Sequence, residues 1–315
     1  MGGQTPEAIY NALSIQDIQK AADLFQQLYI STKSLDGYVS LEVAPSLARN
    51  TEGTLAEARR LWREVERPNV MIKVPGTKEG VSAIRDLIRD GININVTLLF
   101  SLENYEAVAK AYIEGLEARL EQGQNLQNVS SVASFFLSRI DTLIDPILEE
   151  KAKDSNPEIA KAAQAALGEV AIASAKKAYQ IYKSLFETER FQKLVAHGAQ
   201  PQRLLWASTS SKNPNYSDVK YVETLIGPHT VNTVPMETLD AYRDHGKPAV
   251  TVEKDLDKAD DVINSMHSMG LDLAQFTTQL ENEGIEKFLH PFDKMMQAIT
   301  EKAKAKGVAV AASKK

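Results

Sequence analysis

Residues Val70-Met71-Ile72-Lys73-Val74-Pro75 form an apolar, largely β-branched run that contains a single lysine. The length and composition of this run are typical of a buried strand, which Pro75 and Gly76 bring to an end. A primary amine at such a position is costly to bury in its charged form, and a neutral amine attacks ketones to form a Schiff base. The sequence therefore indicates that chemistry should be sought at Lys73.

Six segments of the chain have the composition of short strands, and most are followed by a segment with helical periodicity. Their ranges are 38–43, 69–74, 92–99, 129–135, 203–208 and 229–234. Strands that alternate with helices at these intervals are typical of a parallel sheet with right-handed crossovers. The fold class predicted from this rhythm is α/β.

The absence of a low-complexity linker favours one domain, which we place at residues 1–305. Within it we expect N-terminal helices at 6–29, a long helical insertion at 141–200 and C-terminal helices at 236–305. The lysine-rich residues 306–315 are predicted to be a flexible tail.

Composition narrows the range of functions. The 315 residues carry a formal net charge of −6, which gives no support to a nucleic-acid or anionic-membrane partner. No apolar run approaches the length of a membrane span, and no secretion leader opens the sequence, so we expect a cytoplasmic protein. With 0 cysteines and five histidines that lack ligand spacing, we expect no metal site.

Side chains alternate across a strand, and in the predicted strands one face is repeatedly polar. Glu42, Lys73, Asn95, Thr97 and Ser134 lie on such faces, toward the carboxyl ends of their strands. Strands of an open doubly wound sheet are apolar on both faces, so a closed barrel with a polar interior fits better. The pattern predicts one site at the carboxyl ends of the strands.

Simpler interpretations of the same residues stay open at this point. Lys73 could protect an exposed sheet edge, and Glu42 could be a solvated or ion-paired carboxylate. Asn95 and Thr97 could satisfy each other within a core. The occurrence of all these residues on one face of successive strands favours a site.

Five segments of the sequence resemble motifs of the transaldolase family, specifically its longer bacterial and cyanobacterial branch. They are Tyr-Val-Ser-Leu-Glu-Val at 38–43, Met-Ile-Lys-Val-Pro at 71–75, Ile-Asn-Val-Thr-Leu-Leu-Phe-Ser at 94–101, Ser-Val-Ala-Ser-Phe-Phe-Leu-Ser-Arg at 131–139 and Leu-Trp-Ala-Ser-Thr-Ser-Ser-Lys-Asn-Pro at 205–214. The likeness extends from about residue 6 to residue 299 in the expected order. It implies a class I aldolase-like (β/α)8 TIM-type barrel that uses no cofactor.

The resemblance also implies catalytic roles for the polar residues. Lys73 matches the Schiff-base lysine, Glu42 the acid/base carboxylate that acts through a water molecule, and Thr97 the residue that holds this water. Asn95 and Ser134 match groups that hydrogen-bond the bound dihydroxyacetone unit.

Sugar-phosphate substrates and their binding residues follow from the same resemblance. Arg139, Ser208 and either Ser210 or Lys212 match the phosphate-binding region. The family moves dihydroxyacetone from sedoheptulose 7-phosphate to glyceraldehyde 3-phosphate, giving erythrose 4-phosphate and fructose 6-phosphate in the pentose phosphate pathway. A related hypothesis is a fructose 6-phosphate aldolase-like lyase that releases dihydroxyacetone.

The sequence departs from the family pattern at its beginning. Family members start with two further strands, which carry an aspartate and an Asn-Pro turn that nothing here matches. We therefore expect about six of the eight barrel strands and a site without that aspartate, which assists proton transfer. The alternative is an impaired homologue that acts as an assembly module, with edges at 38–43 and 229–234 pairing with another chain or another copy in a homo-oligomer.

Overall fold

The computed structural model describes residues 5–306 of the chain. It contains one parallel sheet whose six strands lie side by side in chain order. The strands are β1 Val39–Glu42, β2 Val70–Pro75, β3 Ile94–Leu99, β4 Ser131–Phe136, β5 Arg203–Ala207 and β6 Thr230–Asn232. Each predicted strand overlaps one of these, so the prediction of a parallel α/β fold is confirmed.

Helices connect the strands and cover the outer face of the sheet. They are α1 Pro6–Ser31, α2 Thr51–Val65, α3 Lys78–Arg89, α4 Leu102–Glu121, α5 Ser138–Lys151, α6 Pro157–Ala166, α7 Val170–Phe186, α8 Glu189–Val195, α9 Lys220–Glu223, α10 Met236–His245, α11 Leu256–Ser268 and α12 Leu273–Ala305, with a 3₁₀ turn at Pro45–Leu47. None of the helices found within residues 5–306 combines the length and the apolarity that crossing a lipid bilayer demands. Apart from Lys306, the predicted tail lies outside the described residues.

The two faces of β2 differ as the alternation predicts. Val70, Ile72 and Val74 are fully buried against the helices, whereas Lys73 is partly exposed on the opposite face. Because side chains alternate along a strand, the apolar residues supply the core and leave the lysine on the inner face.

The sheet is strongly curved, with the polar face on its concave side. Asn95 Nδ2 on β3 donates a hydrogen bond of 3.0 Å to Ser40 Oγ on β1, across the intervening β2. Strands two positions apart in a flat sheet would be about 9.6 Å apart, too far for these short side chains to meet. Such curvature is typical of a barrel wall and agrees with a (β/α)8-type fold.

A second set of contacts crosses the amino end of the same concave face. Arg203 Nη2 on β5 donates a hydrogen bond of 2.7 Å to the carbonyl oxygen of Leu35, which precedes β1. The Tyr38 hydroxyl also lies 2.8 Å from Ser130 Oγ, at the start of β4. The chain before β1 therefore closes this end of the sheet.

Helix α12 runs past the opposite end of the sheet, where the strands have their carboxyl ends. At Gly284 it approaches β3 so closely that an added Cβ would lie 2.9 Å from Leu98 Cδ2. One turn further on, the Phe288 ring centre is 5.7 Å from Lys73 Nζ. The helix therefore forms one wall of the space above Lys73.

Candidate active site

Lys73 and Glu42 face each other from neighbouring strands. They are direct partners in the parallel register of β1 and β2, and Lys73 Nζ lies 3.2 Å from Glu42 Oε2. The side chain of each is 23% exposed, which places both in a cleft. The alternation of polar residues placed Lys73 and Glu42 on one face, and the structure brings their charged groups into contact.

The environment of Glu42 favours the protonated carboxyl group. Burial raises the pKa of Glu42 above its usual range, and the charge and hydrogen bond of Lys73 only partly oppose this change. A carboxyl group with a raised pKa holds its proton more readily than an ordinary carboxyl group and can both accept and return it. Glu42 therefore has the properties of a general acid/base beside the amine.

Asn95 continues the row on β3, directly beside Lys73 in the register of β2 and β3. Its carbonyl oxygen accepts a hydrogen bond of 2.7 Å from Ser134 Oγ on β4, and its amide donates to Ser40 on β1. These two bonds fix the orientation of the amide. The structure thus brings Glu42, Lys73, Asn95 and Ser134 together across four strands, and the pairing of Asn95 with Thr97 that we left open does not occur.

The Thr97 hydroxyl is buried without a partner. Thr97 is fully buried on β3, yet its Oγ1 makes no hydrogen bond to any group in residues 5–306. Leaving a hydroxyl unsatisfied costs free energy, so such a group indicates a place for a bound water or substrate oxygen. This property could not be inferred from sequence.

Arg139 lies in the first turn of α5, just beyond the end of β4. Its guanidinium carbon is 5.2 Å from the centre of the Phe136 ring, and its buried Nη1 has no partner in the described part of the chain. Burial lowers the pKa of Arg139 below its usual range. A partly desolvated guanidinium with an unsatisfied N–H is a favourable group for binding an anion.

The remaining predicted residues follow β5. Ser208 Oγ is 2.9 Å from Ser138 Oγ, so Ser208 lies next to the residue that precedes Arg139. Lys212 Nζ donates a hydrogen bond of 2.6 Å to Ser210 Oγ. Within residues 5–306, the hydrogen bonds of Ser208, Ser210 and Lys212 do not reach Lys73 or its neighbours. The element that connects the two groups is β4, which carries Ser134 and leads into Arg139.

This arrangement of a lysine, a carboxylate and an arginine with an unsatisfied N–H at the ends of parallel strands agrees with a comparison of the whole chain with known families. The family described as Transaldolase/Fructose-6-phosphate aldolase matches residues 2–299. The chain belongs to this family.

Individual relatives from the family are similar over most of their length. The chain is 49% identical over 299 residues to the transaldolase of Trichodesmium erythraeum, which covers 94% of this chain and 79% of the relative. It is 47% identical over 300 residues to transaldolase 2 of Nostoc punctiforme, with the same coverage. It is also 45% identical over 293 residues to the transaldolase of Thiobacillus denitrificans, covering 93% of this chain and 80% of the relative.

The structure adds three residues to the family site that sequence reasoning did not select. Ser40 holds the Asn95 amide, and the alternation along β1 already placed it on the same face as Glu42. Ser138 contacts Ser208 and lies in a phrase that carried the resemblance. Phe288 lies over Lys73 from α12, and no sequence pattern could have found it because helix docking is not a local property.

In the part of the chain that the structure describes, no three histidine, aspartate or glutamate side chains are grouped as ligands for a metal ion.

Proposed function

We propose that this protein is a transaldolase that transfers a dihydroxyacetone unit between sugar phosphates through a Schiff base on Lys73. The 3.2 Å contact between Lys73 Nζ and Glu42 Oε2 carries this proposal, since it places a proton acceptor beside the amine. The family match and the relatives named transaldolase support it. The impaired assembly module is not favoured, and pairing of open edges in a homo-oligomer stays a prediction.

The first stage is attack on the donor ketone. Glu42 accepts a proton from the Lys73 ammonium group, and the neutral amine adds to the carbonyl carbon of the ketose phosphate. Loss of the carbonyl oxygen as water, with a proton supplied by the Glu42 carboxyl group, leaves a protonated imine. We propose that Asn95, the register partner of Lys73, and Ser134, which donates a hydrogen bond to Asn95, bind the hydroxyl groups of the transferred unit.

The second stage is cleavage and transfer. Glu42, through a water held at the Thr97 hydroxyl, removes the proton of the hydroxyl on the carbon that will leave. The carbon–carbon bond breaks, its electron pair enters the imine to give an enamine, and an aldose phosphate departs. The enamine then attacks the aldehyde of the acceptor, and hydrolysis of the new imine frees the product and Lys73.

The phosphate group of each substrate is proposed to lie at Arg139, Ser208, Ser210 and Lys212. The buried, unsatisfied Nη1–H of the half-buried Arg139 is the strongest of these features. This chemistry needs no cofactor, because the imine itself withdraws the electrons. Its charged sugar substrates are retained inside cells, so the proposal includes a cytoplasmic location.

Trapping of the imine tests the proposal. Incubation with fructose 6-phosphate and borohydride, followed by peptide mass spectrometry, is expected to find a reduced adduct on Lys73. The variant Lys73→Met should yield no adduct, whereas Lys78→Met, which removes an exposed lysine near by, should react normally. Adduct formation at other lysines only, or none in the wild type, would reject the proposal.

Dependence on an acceptor separates transfer from simple cleavage. A transaldolase turns over fructose 6-phosphate rapidly only when an acceptor aldehyde such as erythrose 4-phosphate is present. A lyase releases dihydroxyacetone at the same rate without it. We expect turnover to require the acceptor.

A further inference from the structure

The loop between β5 and α9, residues 208–219, carries Ser208, Ser210 and Lys212, and we call it the β5–α9 loop. Its first residue is fixed to the start of α5. Ser138 N donates a hydrogen bond of 3.1 Å to the carbonyl oxygen of Ser208, and the two hydroxyl groups lie 2.9 Å apart. The beginning of the loop is therefore attached to the helix turn that contains Arg139.

The far end of the β5–α9 loop is fixed to the same helix. The Tyr216 hydroxyl donates a hydrogen bond of 2.7 Å to Asp145 Oδ2, and the Gly168 N–H donates one of 2.9 Å to Oδ1. Lys220 places its ammonium group 3.8 Å from the centre of the Tyr216 ring. Asp145 is only 5% exposed, so its bond to Tyr216 is shielded from water.

A parallel contact anchors the element that follows the loop. The Tyr221 hydroxyl donates a hydrogen bond of 2.7 Å to Asp141 Oδ2, while the Ala171 N–H donates one of 2.8 Å to Oδ1. Asp141 and Asp145 are one helical turn apart on α5. Burying two carboxylates is costly, and neither takes part in the imine chemistry proposed above.

We propose that Asp145 and Tyr216 are positioning residues for the substrate phosphate. By tying the far end of the β5–α9 loop to α5, their hydrogen bond fixes Ser210 and Lys212 relative to Arg139. The anion receptor then exists before the substrate arrives, which lowers the entropy cost of binding. This inference rests on the proposed function for the identity of the phosphate ligand.

The variant Tyr216→Phe tests the inference, because it removes one hydroxyl and keeps the ring beneath Lys220. In isothermal titration calorimetry, the variant is expected to bind inorganic phosphate about threefold to tenfold more weakly than the wild type. This factor corresponds to the usual net contribution of one hydrogen bond. The KM for fructose 6-phosphate should rise by a similar factor with little change in kcat. A uniform structural defect would instead lower kcat as well.

A matched control is the variant Tyr179→Phe. The Tyr179 hydroxyl donates a hydrogen bond of 3.0 Å to the carbonyl oxygen of Pro228, outside the β5–α9 loop. Phosphate affinity should be that of the wild type in this variant. At the acceptor, Asp145→Asn leaves one oxygen for two donors, the Tyr216 hydroxyl and the Gly168 N–H, so its phosphate affinity should be lowered at least as much as that of Tyr216→Phe. Asp145→Ala, which removes both acceptors, should show the same or a larger loss.

Borohydride trapping of unphosphorylated dihydroxyacetone distinguishes failure of this inference from failure of the proposed function. The variant Tyr216→Phe should trap dihydroxyacetone on Lys73 as efficiently as the wild type. Unchanged phosphate affinity in Tyr216→Phe, or no phosphate binding by the wild type, overturns the inference. Absence of trapping in the wild type overturns the proposed function, while the phosphate titration still decides the inference.

Discussion

Lys73 and Glu42 meet because a parallel register sets them opposite each other on adjacent strands. Direct neighbours on one face of a sheet lie within reach of each other's side chains, so two residues in separate phrases of the sequence become an acid/base pair. The alternation of polar and apolar residues was sufficient to place both on the inner face. It could not give their distance, which depends on the register and on the curvature of the sheet.

The variant Glu42→Gln tests the acid/base role. We expect kcat to fall by about 10²-fold to 10⁴-fold, the usual contribution of a positioned acid/base group. In the wild type, kcat/KM should decline as the pH falls through the raised pKa of Glu42, because the base is then protonated. Rate measurements across the acidic range should find no such decline in Glu42→Gln.

The control for this prediction is Glu57→Gln. Glu57 lines the same cavity as Glu42 but forms an ion pair of 2.7 Å with Arg60. Its replacement should leave the pH dependence of kcat/KM intact. Equal losses in the two variants would contradict a specific role of Glu42.

Because the Thr97 hydroxyl has no partner in residues 5–306, we expect its removal to lower activity without lowering stability. Thr97→Val should lower kcat while leaving the free energy of unfolding unchanged or raised by about 1 kcal/mol, because a buried hydroxyl without a partner is removed. Urea unfolding and steady-state kinetics measure the two effects.

Thr77 provides the comparison for Thr97. Thr77 is also fully buried, but its hydroxyl is satisfied. Oγ1 donates a hydrogen bond of 2.6 Å to the carbonyl oxygen of Ala48 and accepts one of 3.1 Å from the Gly80 N–H. Thr77→Val should therefore lower the free energy of unfolding by roughly 1–3 kcal/mol. If Thr97→Val lowered the free energy of unfolding as much as Thr77→Val does, the prediction would be contradicted.

At the scale of elements, the position of Lys73 depends on the close packing of α3 against the end of β2. Thr77 caps α3, and the glycine three residues later leaves no room for a side chain, since a Cβ on Gly80 would lie 2.0 Å from the carbonyl oxygen of Pro75. The alternation of strands and helices indicated a helix after this strand. It could not reveal that the first turn contacts the preceding strand so closely.

The variant Gly80→Ala should lower the free energy of unfolding by about 1–3 kcal/mol, because the backbone of β2 or α3 must move. The matched control is Gly53→Ala, at the same position in the first turn of α2, where the nearest atom is the flexible Cδ2 of Leu47 at 2.8 Å. Alanine is there expected to be neutral or stabilising, since it has the higher helix propensity. Urea denaturation measures the free energy of unfolding of both variants. Equal changes in the two variants would contradict the prediction.

At the scale of the molecule, the burial of Asp141 connects stability with pH. Burial raises the pKa of Asp141 from 3.8 to about 6, although hydrogen bonds from Tyr221 and Ala171 oppose this change. Between these values the folded protein retains a proton that the unfolded chain releases. The free energy of unfolding therefore decreases as the pH rises from about 4 to about 6, by roughly 3 kcal/mol from this group, and the loss persists above that range.

The variant Asp141→Asn should lack this contribution, because an amide does not ionise. Urea midpoints of the wild type and the variant, measured at pH 4 and pH 7, should converge on the acidic side and favour the variant at pH 7. Asp240→Asn, which alters an exposed carboxylate, should follow the wild type. Parallel pH curves for Asp141→Asn and the wild type would contradict the prediction.

The sequence predicted the order and type of the six strands because each pairs only with its neighbours along the chain. It did not predict the contacts that join distant segments, such as the bond from Arg203 to the carbonyl oxygen of Leu35. Nor did it predict that α12 would pack beside β3, with Phe288 over Lys73. Such contacts depend on the final shape of two surfaces, which local composition does not encode.

The strand order also has a consequence for synthesis on the ribosome. A sheet whose strands pair in the order of translation can assemble while the chain is still emerging, because each pairing closes only one short crossover. The helix that places Phe288 over Lys73 is made after all six strands. Synthesis therefore delivers both members of the lysine–carboxylate pair, on β1 and β2, long before it delivers the helix that covers them.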